Sequence, residues 1–279
     1  MKYLNIGCGN NYSTNNEWTN LDFVANGIKV MPYNLLKGIP FENNNFDLVY
    51  HSHLLEHFTK DDGEKMIEEC FRVLKPGGVL RIAVPDLEQI IKNYLNLLEI
   101  GNRNPADEAI RINYDWIMLE MYDQTVRNYG GGKMGAYIMQ ETLKNENFIF
   151  DRIGEEGKII RNNYLTEINS IKLPNSETYK LIKFNLINKI KLRIKNYLLK
   201  QLNIDKEVLS IGQFRLAGEI HQWMYDSYSL KSLLMRKGGI GIKITDAFSG
   251  YIKDWEKYNL DGKNGIVRKP DSFFIEALK

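Results

Sequence analysis

The first third of the chain alternates short apolar runs with longer stretches of mixed polarity. Each run is bounded by polar residues, glycine or proline, as buried strands commonly are. The predicted strands cover residues 3–6, 19–23, 28–31, 46–50 and 79–84. Strands that are separated by helical stretches favour a parallel sheet covered by helices on both faces.

A helix is predicted over residues 60–74, between the fourth and fifth strands. Apolar residues recur there at three- and four-residue spacing, and they are Met66, Ile67, Cys70, Phe71 and Leu74. The Lys-Pro-Gly-Gly sequence at 75–78 ends this helix, because proline resists its continuation and glycine tolerates the turn. In such sheets ligands bind beyond the carboxyl ends of the strands, so the residues that follow each strand are the candidates for a site.

The middle of the chain, residues 96–215, differs from the first third in composition and in hydrophobic pattern. It is rich in Tyr, Asn and Lys, and three consecutive glycines at 130–132 interrupt it. Strands and helices do not alternate in this region, and we interpret it as a largely helical insertion or lid. Helices are predicted near residues 87–99, 107–121 and 178–202.

The last part of the chain returns to the pattern of the first. Its predicted elements are a helix over 229–237 and strands over 240–247 and 272–277. We therefore expect an α/β fold with a doubly wound, mostly parallel, seven-stranded sheet. Residues 1–95 and 216–279 would form its core, and the insertion at 96–215 would shape the substrate pocket.

Composition narrows the class of protein. Across 279 residues, 37 Lys and Arg stand against 35 Asp and Glu, a net charge of +2 that argues against a general polyanion binder. Two cysteines cannot form a disulfide framework, which fits a reducing compartment. The N-terminus shows no signal peptide and no long apolar stretch occurs, so we expect a soluble, cytoplasmic protein.

A glycine loop follows the first predicted strand. Gly7 and Gly9 flank Cys8 there, and glycines let the backbone approach a ligand where a Cβ would collide. Tyr12 occupies the third position of a nicotinamide-type glycine pattern, which argues against that cofactor. Asp22, at the end of the second strand, could accept hydrogen bonds from ribose hydroxyls. An ordinary tight turn and a capping aspartate remain the alternative.

These residues resemble the class I S-adenosylmethionine-dependent methyltransferases. The likeness is closest to a small bacterial branch associated with surface-glycan biosynthesis, and it covers about residues 1–95 and 216–279. The segments that carry it are 4–10 (LNIGCGN), 18–22 (WTNLD), 46–50 (FDLVY), 55–57 (LEH), 72–78 (RVLKPGG), 80–87 (LRIAVPDL), 221–226 (HQWMYD) and 272–277 (SFFIEA).

The resemblance implies S-adenosylmethionine as the methyl donor and S-adenosylhomocysteine as the product. Gly7, Cys8 and Gly9 would line the methionine part of the cofactor, and Asp22 would hold the ribose hydroxyls. Asn34 would meet the adenine at a position where the family usually has aspartate; its amide oxygen can still accept from the adenine amino group.

The resemblance also implies that His51 and Ser52 follow the fourth strand and lie beside the sulfonium. The residues that we expect to bind the cofactor are therefore Gly7, Cys8, Gly9, Asp22, Asn34, His51 and Ser52.

Methyl transfer to oxygen needs a base, and histidine suits that task because its pKa lies near neutrality. We expect His221 or His53 to be this base and Asp86 to orient it. Alternatively, His221 braces the next helix and Asp86 caps the helix that begins at Leu87. His57 is interpreted as a packing residue.

The spacing of His53 and His57 also suggests metal ligands on one helical face. No further matched ligand is evident along the sequence, so we expect no metal.

Residues 180–202 carry seven basic side chains and no acid, together with an apolar stripe. Such a helix could make a weak contact with an anionic membrane surface, as a lipid-linked glycan acceptor would require. The alternative, which we favour, is a lid helix whose lysines face solvent.

The leading hypothesis is an O-methyltransferase that acts on a sugar or a sugar-linked acceptor in bacterial surface polysaccharide biosynthesis. Alternatives are methylation of a small metabolite, an amine or a phosphoryl-type oxygen, or a scaffold without turnover. We expect no nucleic-acid partner, because the chain lacks the Asp/Asn-Pro-Pro-Tyr segment of amino-methylating DNA enzymes. The sequence does not predict the oligomeric state.

Overall fold

A computed structural model describes residues 1–25, 27–171, 201 and 205–279. Nearly all of the basic segment 180–202 lies outside these residues. None of the helices in the described part is both long and apolar enough to cross a membrane. The strands are β1 (Tyr3–Ile6), β2 (Trp18–Asp22), β3 (Val30–Pro32), β4 (Phe46–Ser52), β5 (Leu74–Pro85), β6 (Ile240–Thr245), β7 (Gly262–Lys263), β8 (Ile266–Val267) and β9 (Ser272–Leu278).

Seven of these strands form one sheet in the order β3-β2-β1-β4-β5-β9-β6. The first five are parallel, whereas β9 runs antiparallel to both of its neighbours. The predicted doubly wound, mostly parallel sheet of seven strands is therefore confirmed. The carboxyl ends of β1, β2, β4 and β5 share one edge, which brings the loops that follow them together.

Helices flank the sheet and form a separate layer in the middle of the chain. They are α1 (Lys60–Val73), α2 (Leu87–Arg103), α3 (Glu108–Val126), α4 (Gly132–Ile138), α5 (Glu146–Ile171), α6 (Lys206–Arg215) and α7 (Ser227–Arg236). The helix predicted over 60–74 matches α1, which begins where Thr59 accepts a hydrogen bond from the Asp62 amide. α2 runs through residue 95, so the predicted boundary between core and insertion falls inside a helix.

The apolar core lies between the sheet and the helices α1 and α7. Leu4, Val49 and Leu80 are fully buried there, and they pack in one cluster with Ile67 of α1 and Leu234 of α7. Burial of residues this large contributes roughly 1.5–3 kcal/mol each. A part of the chain on each side of the helical insertion thus builds a single core.

A buried ionic network joins β5 to the C-terminal part of the chain. Arg81 is fully buried and donates to the Asp261 and Glu276 carboxylates at 2.8 Å each. It also donates to the carbonyl oxygens of Asp246 and Ser249. Because the charges are paired and hydrogen-bonded, they can remain in the interior.

Candidate active site

The glycine loop after β1 has the backbone conformation that glycine favours. Gly7 and Gly9 have φ values of 63° and 52°, in the left-handed region. A Cβ on Gly7 would lie 2.5 Å from a Leu54 methyl, whereas one on Gly9 would meet nothing within 4 Å. Leu54 thus packs closely against the first glycine, and the second borders open space.

Asp22 reaches the glycine loop because β1 and β2 are neighbours in the sheet. Its Oδ2 accepts a hydrogen bond of 2.7 Å from the Gly9 amide, and its Oδ1 accepts one from the Val24 amide. The carboxylate is only partly buried, and each oxygen retains acceptor capacity. An open loop beside a free carboxylate edge fits the sugar and chain of S-adenosylmethionine.

Cys8 lies between the two glycines and is buried. Burial, reinforced by the nearby charge of Asp22, raises the pKa of its thiol to about 12. The thiol is therefore neutral at physiological pH and is not a nucleophile.

The structure corrects the expected positions of the other cofactor residues. β4 continues through Ser52, so His51 and Ser52 lie in the strand and do not follow it. His51 is fully buried, and neither ring nitrogen has a hydrogen-bond partner among the described residues. Ser52 is partly buried and accepts from Arg268 at 3.3 Å. The Asn34 side chain accepts from the Leu36 amide and caps a 3-10 turn, which uses one lone pair of the oxygen expected to meet adenine.

A cavity of about 400 Å³ lies beyond the carboxyl ends of β4 and β5. Helices α3, α4 and α5 supply one side of it and the loop before β9 another. The charged and imidazole side chains that line it are His53, Glu56, His57, Glu120, Arg127, Glu156, Glu219, His221, Lys269 and Asp271. The insertion thus contributes to this pocket, and 10 of its 19 lining residues carry a charged or imidazole side chain.

Four of the lining residues form a compact group. His53 adopts a left-handed conformation (φ 51°), its Nε2 lies 2.6 Å from Ser272 Oγ and its Nδ1 lies 3.3 Å from Glu56 Oε1. His221 Nε2 lies 4.0 Å from the same carboxylate oxygen. The rings of His57 and His221 meet edge to face, with centroids 4.9 Å apart. Both expected bases therefore lie in one cavity.

Burial dominates the electrostatics of this group. It raises the pKa of Glu56 to about 8 and lowers the pKa of His51 to about 3. Burial first, and neighbouring positive groups second, hold the pKa values of His53 and His221 well below the usual range. These imidazoles are therefore neutral near pH 7 and can accept a proton.

Asp86 does not have the expected orienting position. Its side chain accepts from the Gln89 amide at 3.2 Å and caps α2, and it is not among the described residues that line the cavity. Burial raises the pKa of this carboxyl. The structure thus gives Asp86 the alternative role, as a helix cap. His57, interpreted as a packing residue, lines the cavity and lies 3.1 Å from the Ile220 carbonyl through Nδ1.

Sequence reasoning missed several polar residues of the cavity. Glu56 belongs to the Leu-Glu-His segment 55–57, but no sequence pattern indicates that its carboxylate is buried without a hydrogen-bond partner in the described part of the chain. Lys269 and Asp271, which line the cavity, and Ser272, which contacts His53, come from the loop and strand before the C-terminus. Only the antiparallel insertion of β9 beside β5 places them against the end of β4.

Comparisons with known proteins agree with this fold and loop. Residues 4–82 match the methyltransferase domain family. No curated protein sequence matches the chain.

Solved methyltransferase structures are similar at low identity. An S-adenosylmethionine-dependent methyltransferase from Archaeoglobus fulgidus is 13% identical, with 100% of this chain and 86% of that chain covered and a TM-score of 0.38. One from Thermotoga maritima is 11% identical, with 100% and 82% covered and a TM-score of 0.39. A chain of a Haloferax volcanii complex between the Trm112 methyltransferase activator and a methyltransferase is 18% identical, with 32% and 47% covered and a TM-score of 0.27. This chain therefore spans about half of the last relative's length.

The match of residues 4–82 to a methyltransferase domain agrees with the strand order and with the glycine loop and its acid.

Proposed function

We propose that the protein is an O-methyltransferase that acts on a hydroxyl of a sugar or sugar-linked acceptor. The observation that carries this proposal is the cavity beyond the carboxyl ends of β4 and β5, whose lining includes imidazoles and carboxylates. Sugar hydroxyls both donate and accept hydrogen bonds, and carboxylates and amide or guanidinium groups are suited to bind them. A role in bacterial surface polysaccharide biosynthesis rests on the sequence resemblance.

Two consecutive residues link the cofactor loop to the cavity. Leu54 lies against Gly7, and His53 lines the cavity. The His53 amide donates to the Ala83 carbonyl, which fixes this loop between β4 and β5. An acceptor held in the cavity would therefore approach the methyl donor from the side of β4, where His53 stands.

The chain has two tasks in the reaction. It orients the acceptor hydroxyl, and His53 or His221 removes its proton as a neutral base. S-adenosylmethionine, when bound, supplies a methyl group on a sulfonium: the acceptor oxygen bonds to the methyl carbon, the carbon–sulfur bond breaks, and its electron pair remains on sulfur in S-adenosylhomocysteine. Ser272 Oγ lies 2.6 Å from one nitrogen of the His53 ring, and Glu56 Oε1 lies 3.3 Å from the other.

The test is an assay for S-adenosylhomocysteine formation with a panel of nucleotide sugars and oligosaccharides. Small amines and phosphoryl compounds serve as competing acceptor classes. We expect a sugar product heavier by one CH2 group, and a loss of about 10²- to 10⁴-fold in kcat for the His53→Ala or the His221→Ala variant. Turnover at the wild-type rate in both variants would exclude these bases. Methylation of amines alone would assign another acceptor, and cofactor binding without turnover on any acceptor would indicate a scaffold.

A further inference from the structure

Glu56, His57 and His221 bring three metal-ligand atoms together inside the cavity. One carboxylate oxygen and one imidazole nitrogen from each histidine lie within 4.8 Å of one another. Two ligands of a tetrahedral zinc ion stand about 3.3 Å apart, because each bond is roughly 2.0 Å long. Small side-chain rotations therefore suffice to close this set around one ion.

The carboxylate of Glu56 is the second observation. It is fully buried, and neither oxygen accepts a hydrogen bond from any described residue. Its closest polar neighbours, His53 Nδ1 and His221 Nε2, lie at 3.3 and 4.0 Å without hydrogen-bond geometry. A buried carboxylate without a partner is costly, and a cation bound at this position removes that cost.

In metal-binding histidines, the ring nitrogen that does not bind the metal usually donates a hydrogen bond to a carbonyl or a carboxylate, and His57 has such a contact. Its Nδ1 lies 3.1 Å from the Ile220 carbonyl, which can only accept a hydrogen bond. The ring proton therefore resides on Nδ1, and Nε2 keeps its lone pair for a metal.

The backbone holds the two ligand segments together. The Gln222 and Trp223 amides both donate to the Glu56 carbonyl, at 2.8 and 3.2 Å. The Gln222 side chain donates to the His57 carbonyl at 2.7 Å. The segment that carries His221 is thus clamped to the segment that carries the other two ligands, so the set is organised before an ion binds.

We propose that Glu56, His57 and His221 bind a divalent first-row transition-metal ion such as Zn²⁺. Two imidazoles and one carboxylate suit such ions, and three protein ligands leave a coordination position open. That the acceptor hydroxyl takes this position rests on the proposed function. The hydroxyl would lose its proton to His53, and its oxygen would form the new bond to carbon while the carbon–sulfur bond breaks and its electron pair stays on sulfur. This assignment makes His221 a ligand and leaves the base role to His53.

Metal binding is tested on the full, untagged chain without an acceptor. The protein is stripped with a chelator and titrated with Zn²⁺ by calorimetry, and with Co²⁺ by visible absorption, which reports imidazole and carboxylate coordination. We expect one ion per chain and a loss of affinity of about 10- to 100-fold or more in Glu56→Gln and in His221→Ala. Asp61→Asn removes an exposed carboxylate of α1 outside the cavity and should bind the ion as the wild type does.

The outcomes separate this proposal from the proposed function. Affinity for S-adenosylhomocysteine, measured on every variant, verifies that the fold is intact. No bound ion in the wild type, or equal affinity in Glu56→Gln, His221→Ala and the wild type, would overturn the metal site even if sugars are methylated. One ion that is lost in the two ligand variants would support the site even if no sugar is methylated.

Discussion

The backbone amide of Gly9 donates a hydrogen bond of 2.7 Å to the carboxylate of Asp22. The two residues are 13 positions apart and meet because β1 and β2 are parallel neighbours. This bond holds the acid against the glycine loop, with its remaining lone pairs directed away from the amide. The relationship joins the two parts of the proposed cofactor site.

Asp22 should control cofactor affinity. Two hydrogen bonds from ribose hydroxyls to a charged group contribute about 1.5–3 kcal/mol each, so Asp22→Ala should weaken S-adenosylhomocysteine binding by roughly 100-fold or more. Asp22→Asn retains one acceptor oxygen and should lose less. Calorimetric titration measures both, with the exposed Asp61→Asn on α1 as the control. Unchanged affinity in Asp22→Ala would refute its assignment as the ribose ligand.

Gly7 and Gly77 separate backbone strain from steric collision. Both have positive φ, 63° and 77°, so alanine should cost each position about 1–2 kcal/mol of stability. Only at Gly7 would the new Cβ meet Leu54, at 2.5 Å, whereas at Gly77 it meets nothing within 4 Å. We expect Gly7→Ala to lower stability further and to abolish S-adenosylhomocysteine binding, and Gly77→Ala to bind normally. Denaturant unfolding and calorimetry provide the two readouts, and equal losses in the two variants would contradict this distinction.

Elements set by local sequence were predictable. The strand, glycine turn and acid that form the proposed cofactor loop lie within 22 residues, and the helix α1 follows from its apolar spacing and its proline–glycine stop. The alternation of strands and helices then determines which ends of the strands share an edge. The prediction of a doubly wound sheet therefore required no long-range information.

The cavity beyond β4 and β5 depends on long-range contacts that no local pattern records. His221 Nε2 lies 4.0 Å from Glu56 Oε1, although 165 residues separate the two in the chain. The Gln222 side chain, which donates to the His57 carbonyl, holds the two segments side by side. The wrong position predicted for His51 has a different cause. The strand β4 extends two residues beyond its predicted end, so His51 lies in the strand and is fully buried. Successive side chains of a strand point to opposite faces of the sheet. An error of one or two residues in the predicted end of the strand therefore changes the predicted environment of a side chain such as His51.

The Arg81 network should stabilise the fold far more than an exposed ion pair does. Arg81 stands opposite Glu276 in the β5–β9 register, and both side chains are fully buried. Arg81→Met would leave two buried carboxylates without their partner, and we expect a loss of about 3–5 kcal/mol in the free energy of unfolding. Lys92→Met removes the exposed pair with Glu88 and should cost less than about 0.5 kcal/mol. Urea unfolding compares the two, and similar losses would show that the network is not stabilising.

Asp271 should make stability depend on pH in a defined direction. Burial raises the pKa of its carboxyl to about 6, above the unfolded value of 3.8, so the native protein loses stability as pH rises through this window and the carboxyl ionises. Its Oδ1 also has no hydrogen-bond partner among the described residues. Asp271→Asn stays neutral, so at pH 8 it should be more stable than the wild type by roughly 1–3 kcal/mol, with a difference near zero at pH 4. Unfolding curves across this range measure the difference, and Asp61→Asn serves as the exposed control. A gain that is the same at pH 4 and pH 8 would show that ionisation of Asp271 is not its cause.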